Sequence, residues 1–327
     1  MNKIHERLKV KLPIWSAGMG LGIAGSALTS AVSNAGGLGV LGLGGMDPET
    51  MRAVITDTRD KTSRAFGVNI IMPLMVPGQI EACYDEKVPL IVLFWGDPSD
   101  YVKDAHKRDI LVVSQCGDVE EAVRAVEAGV DGVIVQGTEA GGHVKATRPL
   151  ADVVRETVAE LAPLPVIASG GIATGADIAC ALKLGASAVS MGTRFLATHE
   201  SSALDGYKKR LLVARSEDTV LTKLFDMGWP NAAHRVIRNR AYNDWEAAGR
   251  PASGDRPGED AVIGTLTVGQ PPSEIPRYSV TPPLLQYEGD LEEAALYCGK
   301  SCDDIDSILS ADVVMKQLVA ELRVAQS

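Results

Sequence analysis

A histidine on a glycine-rich turn is the residue of this chain best placed for chemistry. His143 ends the segment Glu139-Ala140-Gly141-Gly142-His143, which follows the apolar run Gly132–Gln136. Glycines let the backbone approach a ligand closely, and a loop at the end of a strand holds a side chain in place. An imidazole, whose pKa is ordinarily about 6.5, can take a proton from a weak carbon acid near neutral pH. We therefore predict that His143 acts as a general base.

Two further glycine-bearing segments each follow an apolar run. They are Ser169-Gly170-Gly171 and Met191-Gly192-Thr193. Such turns present backbone N–H groups, and the N-terminus of a following helix favours an anion. A tight turn alone explains either segment, but two in consecutive units favour a phosphate site. The sequence therefore predicts a phosphorylated ligand.

Amide side chains close three other predicted strands, at Asn69, Gln115 and Gln136. An amide both donates and accepts hydrogen bonds, so it suits the polar edge of a heteroaromatic ring. The segment Ala17-Gly18-Met19 would bring backbone against the face of such a ring. We therefore expect a flat, polar ring beside the phosphate.

The segment Gly20–Gly25 also satisfies G-x-G-x-x-G, the fingerprint of a dinucleotide site. That fingerprint requires an acidic residue at the end of the second strand to hold a ribose. The strand around Val40 offers none, and Asp47 comes only at the start of the next helix. We therefore disfavour a Rossmann-type site.

Eight strand–helix units must position these residues, because apolar runs alternate with segments of helical period from residue 13 to about 215. The predicted strands are Pro13–Ala17, Leu38–Gly42, Arg64–Ile70, Pro89–Phe94, Asp109–Gln115, Gly132–Gln136, Pro165–Ser169 and Ala188–Gly192. The predicted helices are Ala24–Asn34, Pro48–Arg59, Pro77–Tyr84, Ser99–Lys107, Val119–Ala128, Leu150–Leu161, Ala176–Leu184 and Glu200–Arg210. This number of units predicts an α/β fold, a (β/α)8 TIM barrel rather than an open sheet, with the candidate residues at its C-terminal mouth.

The alternation of predicted strands and helices ends before residue 226. Residues 229–289 are rich in proline, glycine and charge, which predicts long ordered loops with short helices. We predict a barrel over residues 1–225, a lid segment over residues 226–290 that covers the mouth, and helices over residues 291–327 that pack back on the barrel. The helices predicted in this last part are Leu291–Cys298, Ile305–Leu309 and Ala311–Val324.

Composition limits the class of partner. The 327 residues carry a net charge of −10 with no basic stripe, which argues against a nucleic-acid or anionic-membrane partner. No apolar run reaches the length of about 20 residues that crosses a bilayer. Five scattered cysteines without a signal peptide predict reduced thiols in the cytoplasm, and no residue set has the spacing of a metal site. We expect a cytoplasmic enzyme with a small-molecule partner and no metal.

Six segments, in chain order, resemble the nitronate monooxygenases, formerly called 2-nitropropane dioxygenases. They are Pro13–Met19, Ala35–Gly39, Phe66–Asn69, Glu139–His143, Ser169–Ile172 and Met191–Phe195. The resemblance is strong over residues 13–215 and looser over residues 238–240 and 295–301. It implies a TIM-barrel flavoprotein that binds FMN noncovalently.

The resemblance also implies a site, carried over residue by residue. The cofactor-binding residues would be Ala17, Gly18, Met19, Asn69, Gln115, Gln136, Ala140, Gly141, Gly142, Ser169, Gly170, Gly171, Met191, Gly192 and Thr193. The first three would lie against the isoalloxazine ring, the amides would bond its polar edge or the ribityl chain, and Ser169 with the glycines after it would cradle the phosphate. His143 matches the family histidine, which acts as base toward a neutral nitroalkane. Relatives often carry a basic residue at the position of Gln115 and a glycine at that of Lys145.

Three functions remain open. The first is a monooxygenase that uses O2 to convert alkyl nitronates or nitroalkanes into carbonyl compounds and nitrite. The second keeps FMN but takes NAD(P)H as reductant, as in NAD(P)H:quinone reductases and FMN-dependent enoyl-ACP reductases. The third is a non-catalytic barrel that binds a phosphorylated metabolite.

Overall fold

Eight parallel strands form a closed ring. The computed structural model describes residues 2–267 and 272–327, so residues 268–271 of the lid segment lie outside it. The barrel strands are β1 (Ile14–Ser16), β2 (Gly39–Gly42), β3 (Phe66–Ile71), β4 (Leu90–Phe94), β5 (Leu111–Cys116), β6 (Gly132–Gln136), β8 (Val166–Ser169) and β9 (Ala188–Met191). They pair in the order β1-β9-β8-β6-β5-β4-β3-β2, and a parallel bridge from Trp15 to Leu38 closes the ring. The predicted TIM barrel is confirmed.

Six short strands lie outside the ring: β7 (Gly142–His143), β10 (Thr219–Thr222), β11 (His234–Ile237), β12 (Val262–Leu266), β13 (Ser273–Pro276) and β14 (Tyr287–Gly289). They form two three-stranded sheets, β10-β11-β7 and β13-β12-β14. Four of these strands fall in the lid segment, where loops and short helices were predicted. The first sheet therefore joins the lid segment to the loop that carries His143.

The α-helices are α1 (Lys3–Leu8), α2 (Ser26–Asn34), α3 (Pro48–Lys61), α4 (Gln79–Asp85), α5 (Ser99–His106), α6 (Val119–Glu127), α7 (Leu150–Leu161), α8 (Gly175–Lys183), α9 (Thr193–Leu196), α10 (Asp205–Val213), α11 (Arg240–Ala247) and α12 (Ala311–Gln326). Local sequence explains the barrel helices well. Helix α6, for example, begins where the Asp118 carboxylate accepts the N–H of Glu121 at 2.7 Å, and it buries Ala122 and Ala125. After it the chain turns at Gly129, whose φ is +95°.

One cluster of apolar side chains fills the barrel interior. Its members come from alternate positions along the strands and include Val40, Val92 and Ile134. Ile4 of α1 packs into the same set, so this helix, absent from the prediction, covers the end of the barrel opposite the mouth. His5 of α1 accepts a hydrogen bond from the Trp15 indole, between Nε2 and Nε1 at 2.8 Å. The site thus stands on a packed core.

Two predicted helices were wrong, and a third begins later than predicted. Helix α10 begins at Asp205 rather than Glu200, because the Glu200 carboxylate instead accepts the N–H of Ala311 at the start of α12. Residues 291–294 form a turn and a bend instead of a helix, and Tyr297 bridges to Val236. Residues 305–309 form no helix either, and Leu309 is bridged to Thr198. These apolar residues serve pairing with distant segments rather than one face of a helix.

Two buried arginines hold the lid segment together. Arg256 forms ion pairs with Asp226, at 2.7 Å, and with Glu259, and its side chain is 3% exposed. Arg277 pairs with Asp244 at 2.6 Å and with Glu293 at 2.5 Å. Because unpaired buried charges are unfavourable, these contacts fix the segment in one arrangement. Over residues 2–267 and 272–327, no helix has both the length and the apolarity to span a bilayer.

Candidate active site

One cavity of about 290 Å³ opens at the C-terminal mouth of the barrel. The structure brings His143 and every predicted cofactor residue to its wall. They are Ala17, Gly18, Met19, Asn69, Gln115, Gln136, Ala140, Gly141, Gly142, His143, Ser169, Gly170, Gly171, Met191, Gly192 and Thr193. They come from the C-terminal ends of six barrel strands and the loops that follow, span residues 17–193, and meet because the strands are parallel.

Glycine is required where the backbone of this wall packs closely. A Cβ added at Gly18 would lie 2.3 Å from Cβ of Asn69, and one added at Gly141 would lie 2.3 Å from the backbone nitrogen of Gly299. Gly170 and Gly171 have φ values of +117° and +69°, which side-chain-bearing residues rarely adopt. The wall therefore tolerates no larger residue at these positions without movement.

The turn after β8 and the start of α9 offer free donors. Among the residues that the structure describes, none accepts a hydrogen bond from the N–H groups of Gly170, Gly171 or Thr193. Neighbouring unpaired N–H groups at the mouth of a barrel suit a phosphate. This arrangement fits the terminal phosphate of FMN.

His143 lies on a strand rather than on a free loop. Strand β7 pairs antiparallel with β11, so His143 is opposite His234 and Gly142 is opposite Arg235. The amide of Gln136 bonds both sides of the turn, because its Nε2 donates to the His143 carbonyl at 3.0 Å and its Oε1 accepts the N–H of Lys145 at 3.1 Å. The backbone of the candidate base is thus fixed from two directions.

Aromatic rings surround the His143 imidazole. It stacks on Trp229 with ring centroids 4.0 Å apart, and the rings of His234 and Tyr297 lie 5.4 and 5.5 Å away. Its Nε2 is buried with no hydrogen-bond partner among the described residues. Burial first, and then the nearby His234, hold the pKa of His143 well below 6.5. The imidazole is therefore neutral near pH 7, which is the form that a base requires.

His234 is kept neutral by burial as well. Its Nδ1 donates to the carbonyl of Ala232 at 2.9 Å, and its Nε2 accepts the N–H of Phe225 at 3.2 Å. Burial lowers its pKa to about 4. Both ring nitrogens are occupied, so His234 supports the site without being free to exchange protons there.

The three amide side chains predicted for the site differ in their contacts. Gln136 uses its amide on the His143 turn, and Asn69 donates weakly to the carbonyl of Val92, at 3.4 Å. Gln115 also lines the cavity. Lys145 does not, since its ammonium pairs with Glu121 outside the wall, and Glu121 also accepts the N–H of Gly117 at 2.8 Å. The lysine at this position therefore anchors the turn to α6.

The sequence prediction missed part of the wall. Trp229, Tyr297, Gly299 and Ser301 line the cavity, and the N–H of Gly299 donates to Oγ1 of Thr193 at 3.0 Å. No local sequence pattern marks Trp229 as a residue of the wall. The only sequence signal for the others is the loose resemblance over residues 295–301.

Comparison with known proteins finds one matching family and relatives that are more than 30% identical to this chain. The pattern of the family described as "Nitronate monooxygenase" matches residues 2–88 and 75–321. The chain is 36% identical over 250 residues to a 5-hydroxy-7a-methyl-1-oxo-octahydro-1H-indene-4-carboxyl-CoA dehydrogenase of Mycobacterium tuberculosis, covering 76% of this chain and 69% of the relative. It is 34% identical over 262 residues to a nitronate monooxygenase of Paraburkholderia phytofirmans, covering 66% and 71% of the two chains.

Two solved structures have the same fold over nearly their whole length. FabK from Thermotoga maritima matches with a TM-score of 0.80 and 28% identity, covering 100% of this chain and 97% of the other. A nitroalkane oxidase from Streptomyces ansochromogenes matches with a TM-score of 0.80 and 26% identity, covering 99% and 98%. The similarity therefore includes the lid segment as well as the barrel.

Proposed function

This chain is a member of the nitronate monooxygenase family, and from that premise we propose that it is an FMN-dependent enzyme that oxidises nitroalkanes and alkyl nitronates with O2. The products would be a carbonyl compound and nitrite. Because relatives of this chain are oxidoreductases with several substrates, the proposal depends on the site rather than on the family alone.

The observation that carries the proposal is the state of His143. Burial lowers its pKa, so the imidazole is neutral near pH 7; it lies at the cavity wall, and its buried Nε2 has no partner among residues 2–267 and 272–327. A neutral imidazole can accept the α-proton of a nitroalkane, whose nitro group stabilises the resulting carbanion. Gln136, β11 and Trp229 hold the His143 ring in place. The imidazole therefore loses little conformational freedom when the reaction takes place.

The residues present fit FMN. Gly18 and Gly141 line the cavity where a flat ring would lie, and the N–H groups of Gly170, Gly171 and Thr193, unpaired among the described residues, suit its phosphate. When bound, FMN supplies two-electron redox chemistry that the side chains lack. Phe94 and Trp229, which pack together in the cavity wall, would exclude water from the reacting carbon.

The direct test is oxygen consumption. Protein reconstituted with FMN should become yellow and should consume oxygen when 2-nitropropane is added, with release of nitrite. A yellow protein that consumes no oxygen with 2-nitropropane or with its nitronate would refute the proposal. A protein that takes up no FMN would support the non-catalytic alternative.

A second candidate is an oxidoreductase that exchanges electrons between NAD(P)H and an acyl thioester. The identity to a carboxyl-CoA dehydrogenase and the match to FabK favour it. Anaerobic mixing of the FMN-loaded protein with NADH or NADPH distinguishes the two. Rapid bleaching of the flavin would support this candidate, and a stable flavin spectrum would count against it.

A further inference from the structure

The part of the cavity wall next to His143 is a single apolar cluster. Phe94 and Trp229 are buried in it, and Ile71, Leu74 and Val280 pack against them. All five line the cavity, and none belongs to the predicted cofactor set. Since Trp229 also stacks on His143, this apolar wall faces the position where a substrate would meet the base.

The same cavity is free of charged side chains. Along the described wall there is no aspartate, glutamate, lysine or arginine. The titratable groups there are His143, whose pKa is lowered by burial, and Tyr297, whose pKa is raised by burial. The Tyr297 hydroxyl donates to the carbonyl of Val280 at 2.7 Å. Both groups are therefore neutral near pH 7.

The stretches of sequence that carry this apolar side of the wall also lack cations. Six stretches of sequence contribute residues to this side of the wall: 17–25, 43–47, 71–78, 94–98, 227–233 and 279–285. They contain no lysine and no arginine, and their charged residues are Asp47 and Asp97. Met19, Met46, Met72, Met75 and Met227 lie in the same stretches. Methionine adapts to apolar ligands of varied shape and offers nothing to an anion.

An anion held against this apolar side of the wall, away from the N–H groups of Gly170, Gly171 and Thr193, would lose its hydration without gaining a partner, which is strongly unfavourable. A neutral group would lose much less. We infer that the substrate of this enzyme is a neutral, apolar carbon acid without a carboxylate or phosphate group near the reacting carbon. The inference rests on the proposed function for the identity of the reaction, and it narrows that function to the neutral nitroalkane in preference to the anionic nitronate.

Binding of redox-inert ligands tests the inference without turnover. Hexanamide and hexanoate have nearly the same shape and differ in charge. Titrated into FMN-loaded protein at pH 7.5 and followed by the flavin absorbance, hexanamide should bind at least ~10-fold more tightly than hexanoate. Equal or tighter binding of hexanoate would overturn the inference.

A charge added to the wall should reverse this preference. Leu74 is only partly buried, so a lysine there can keep its ammonium at the cavity surface. In Leu74→Lys the affinity for hexanamide divided by that for hexanoate should fall at least ~10-fold. Leu74→Met should keep the wild-type ratio. Ile71→Lys gives the same test at a second position if Leu74→Lys does not fold. An unchanged ratio in a folded lysine variant would contradict the inference.

Turnover separates this inference from the proposed function. Oxygen consumption should be at least ~10-fold more efficient, by kcat/KM, with 1-nitropropane than with 3-nitropropionate, which adds a carboxylate. If 3-nitropropionate is the better substrate, the inference fails and the proposed function stands. If neither nitro compound is oxidised, the proposed function fails, and the binding comparison still decides whether the cavity selects neutral ligands.

Discussion

The imidazole of His143 stacks on the indole of Trp229, with ring centroids 4.0 Å apart and planes 24° from parallel. The histidine comes from the turn after a barrel strand, and the tryptophan comes from the lid segment. One ring thus covers the face of the other and keeps water from it. The lid segment therefore takes part in setting the protonation state of the candidate base.

Replacement of Trp229 should expose the imidazole to water. In Trp229→Ala the pKa of His143 should rise toward 6.5, because burial is the first cause of its low value. The acid limb of the kcat/KM profile with a nitroalkane should then move to higher pH. Trp229→Phe keeps a stacking ring and should keep the wild-type limb. Profiles that coincide for all three proteins would show that the stack does not control the base.

Replacement of His143 should affect substrates unequally. His143→Asn removes the base, so the rate of flavin reduction by a neutral nitroalkane should fall by about 10²–10⁴-fold. A preformed nitronate has already lost its proton, so its rate should fall much less. Anaerobic stopped-flow measurement of flavin reduction gives both rates. Equal losses for the two forms would indicate that His143 does not remove the proton, provided that the variant still binds FMN.

The phosphate site depends on glycine at position 171. Gly171→Ala places a Cβ 2.9 Å from Cβ of Glu139 at a φ of +69°, so the turn must shift and FMN affinity should fall at least ~10-fold. Gly249→Ala carries a similar φ of +84° with no atom within 4 Å. It should lose about 1 kcal/mol of stability without losing FMN affinity. Fluorescence titration with FMN distinguishes the two, and equal affinities would remove Gly171 from the phosphate site.

The buried histidines should make the protein sensitive to acid. Burial lowers the pKa of His5 and of His234 to about 4, while the unfolded chain binds a proton at about 6.5. Stability is therefore complete above pH 6.5 and is lost as pH falls toward 4, by about 2 kcal/mol per histidine at pH 5. Urea unfolding at pH 7.5 and pH 5 should show this loss.

His5→Gln keeps an acceptor for the Trp15 indole and should reduce the loss at pH 5 by about 2 kcal/mol. Ile4→Val in the same helix has no titratable group, so it should lower stability equally at both values of pH. A loss at pH 5 that is unchanged in His5→Gln would show that His5 is not among its causes.

The lid segment should depend on Arg256. Arg256→Ala leaves the carboxylates of Asp226 and Glu259 without their partner, so the free energy of unfolding should fall by about 3–5 kcal/mol. The exposed pair of Arg238 with Glu246 is a matched control, and Arg238→Ala should cost less than about 1 kcal/mol. Urea denaturation measures both. Similar small losses would show that the buried pairs do not hold the segment.

The barrel could be predicted because its signals are local. The apolar run Gly132–Gln136 is a strand with those same bounds, and Leu150–Leu161 is a helix with those same bounds. The candidate site residues were found because glycines and amides at strand ends have few other uses in a parallel barrel. For these elements, the neighbouring residues alone determine the conformation.

The other elements depend on distant partners. Gly142 and His143 form a strand only because β11 pairs with them from 91 or more residues further along the chain. The carboxylate of Glu200 is used 111 residues away, at the start of α12. The contact of Trp229 with His143 likewise joins two segments whose spacing carries no periodic signal. Such pairings depend on the assembled fold, so no local pattern reveals them.

The pairing of β7 with β11 has a consequence for the diversification of this scaffold. A chimaera that exchanged the lid segment for that of a relative would also exchange the strand on which the backbone of His143 rests. Such an exchange would change the substrate preference and the position of His143 at the same time. An engineer who wishes to vary one without the other should leave residues 234–237 untouched and graft only the chain beyond them.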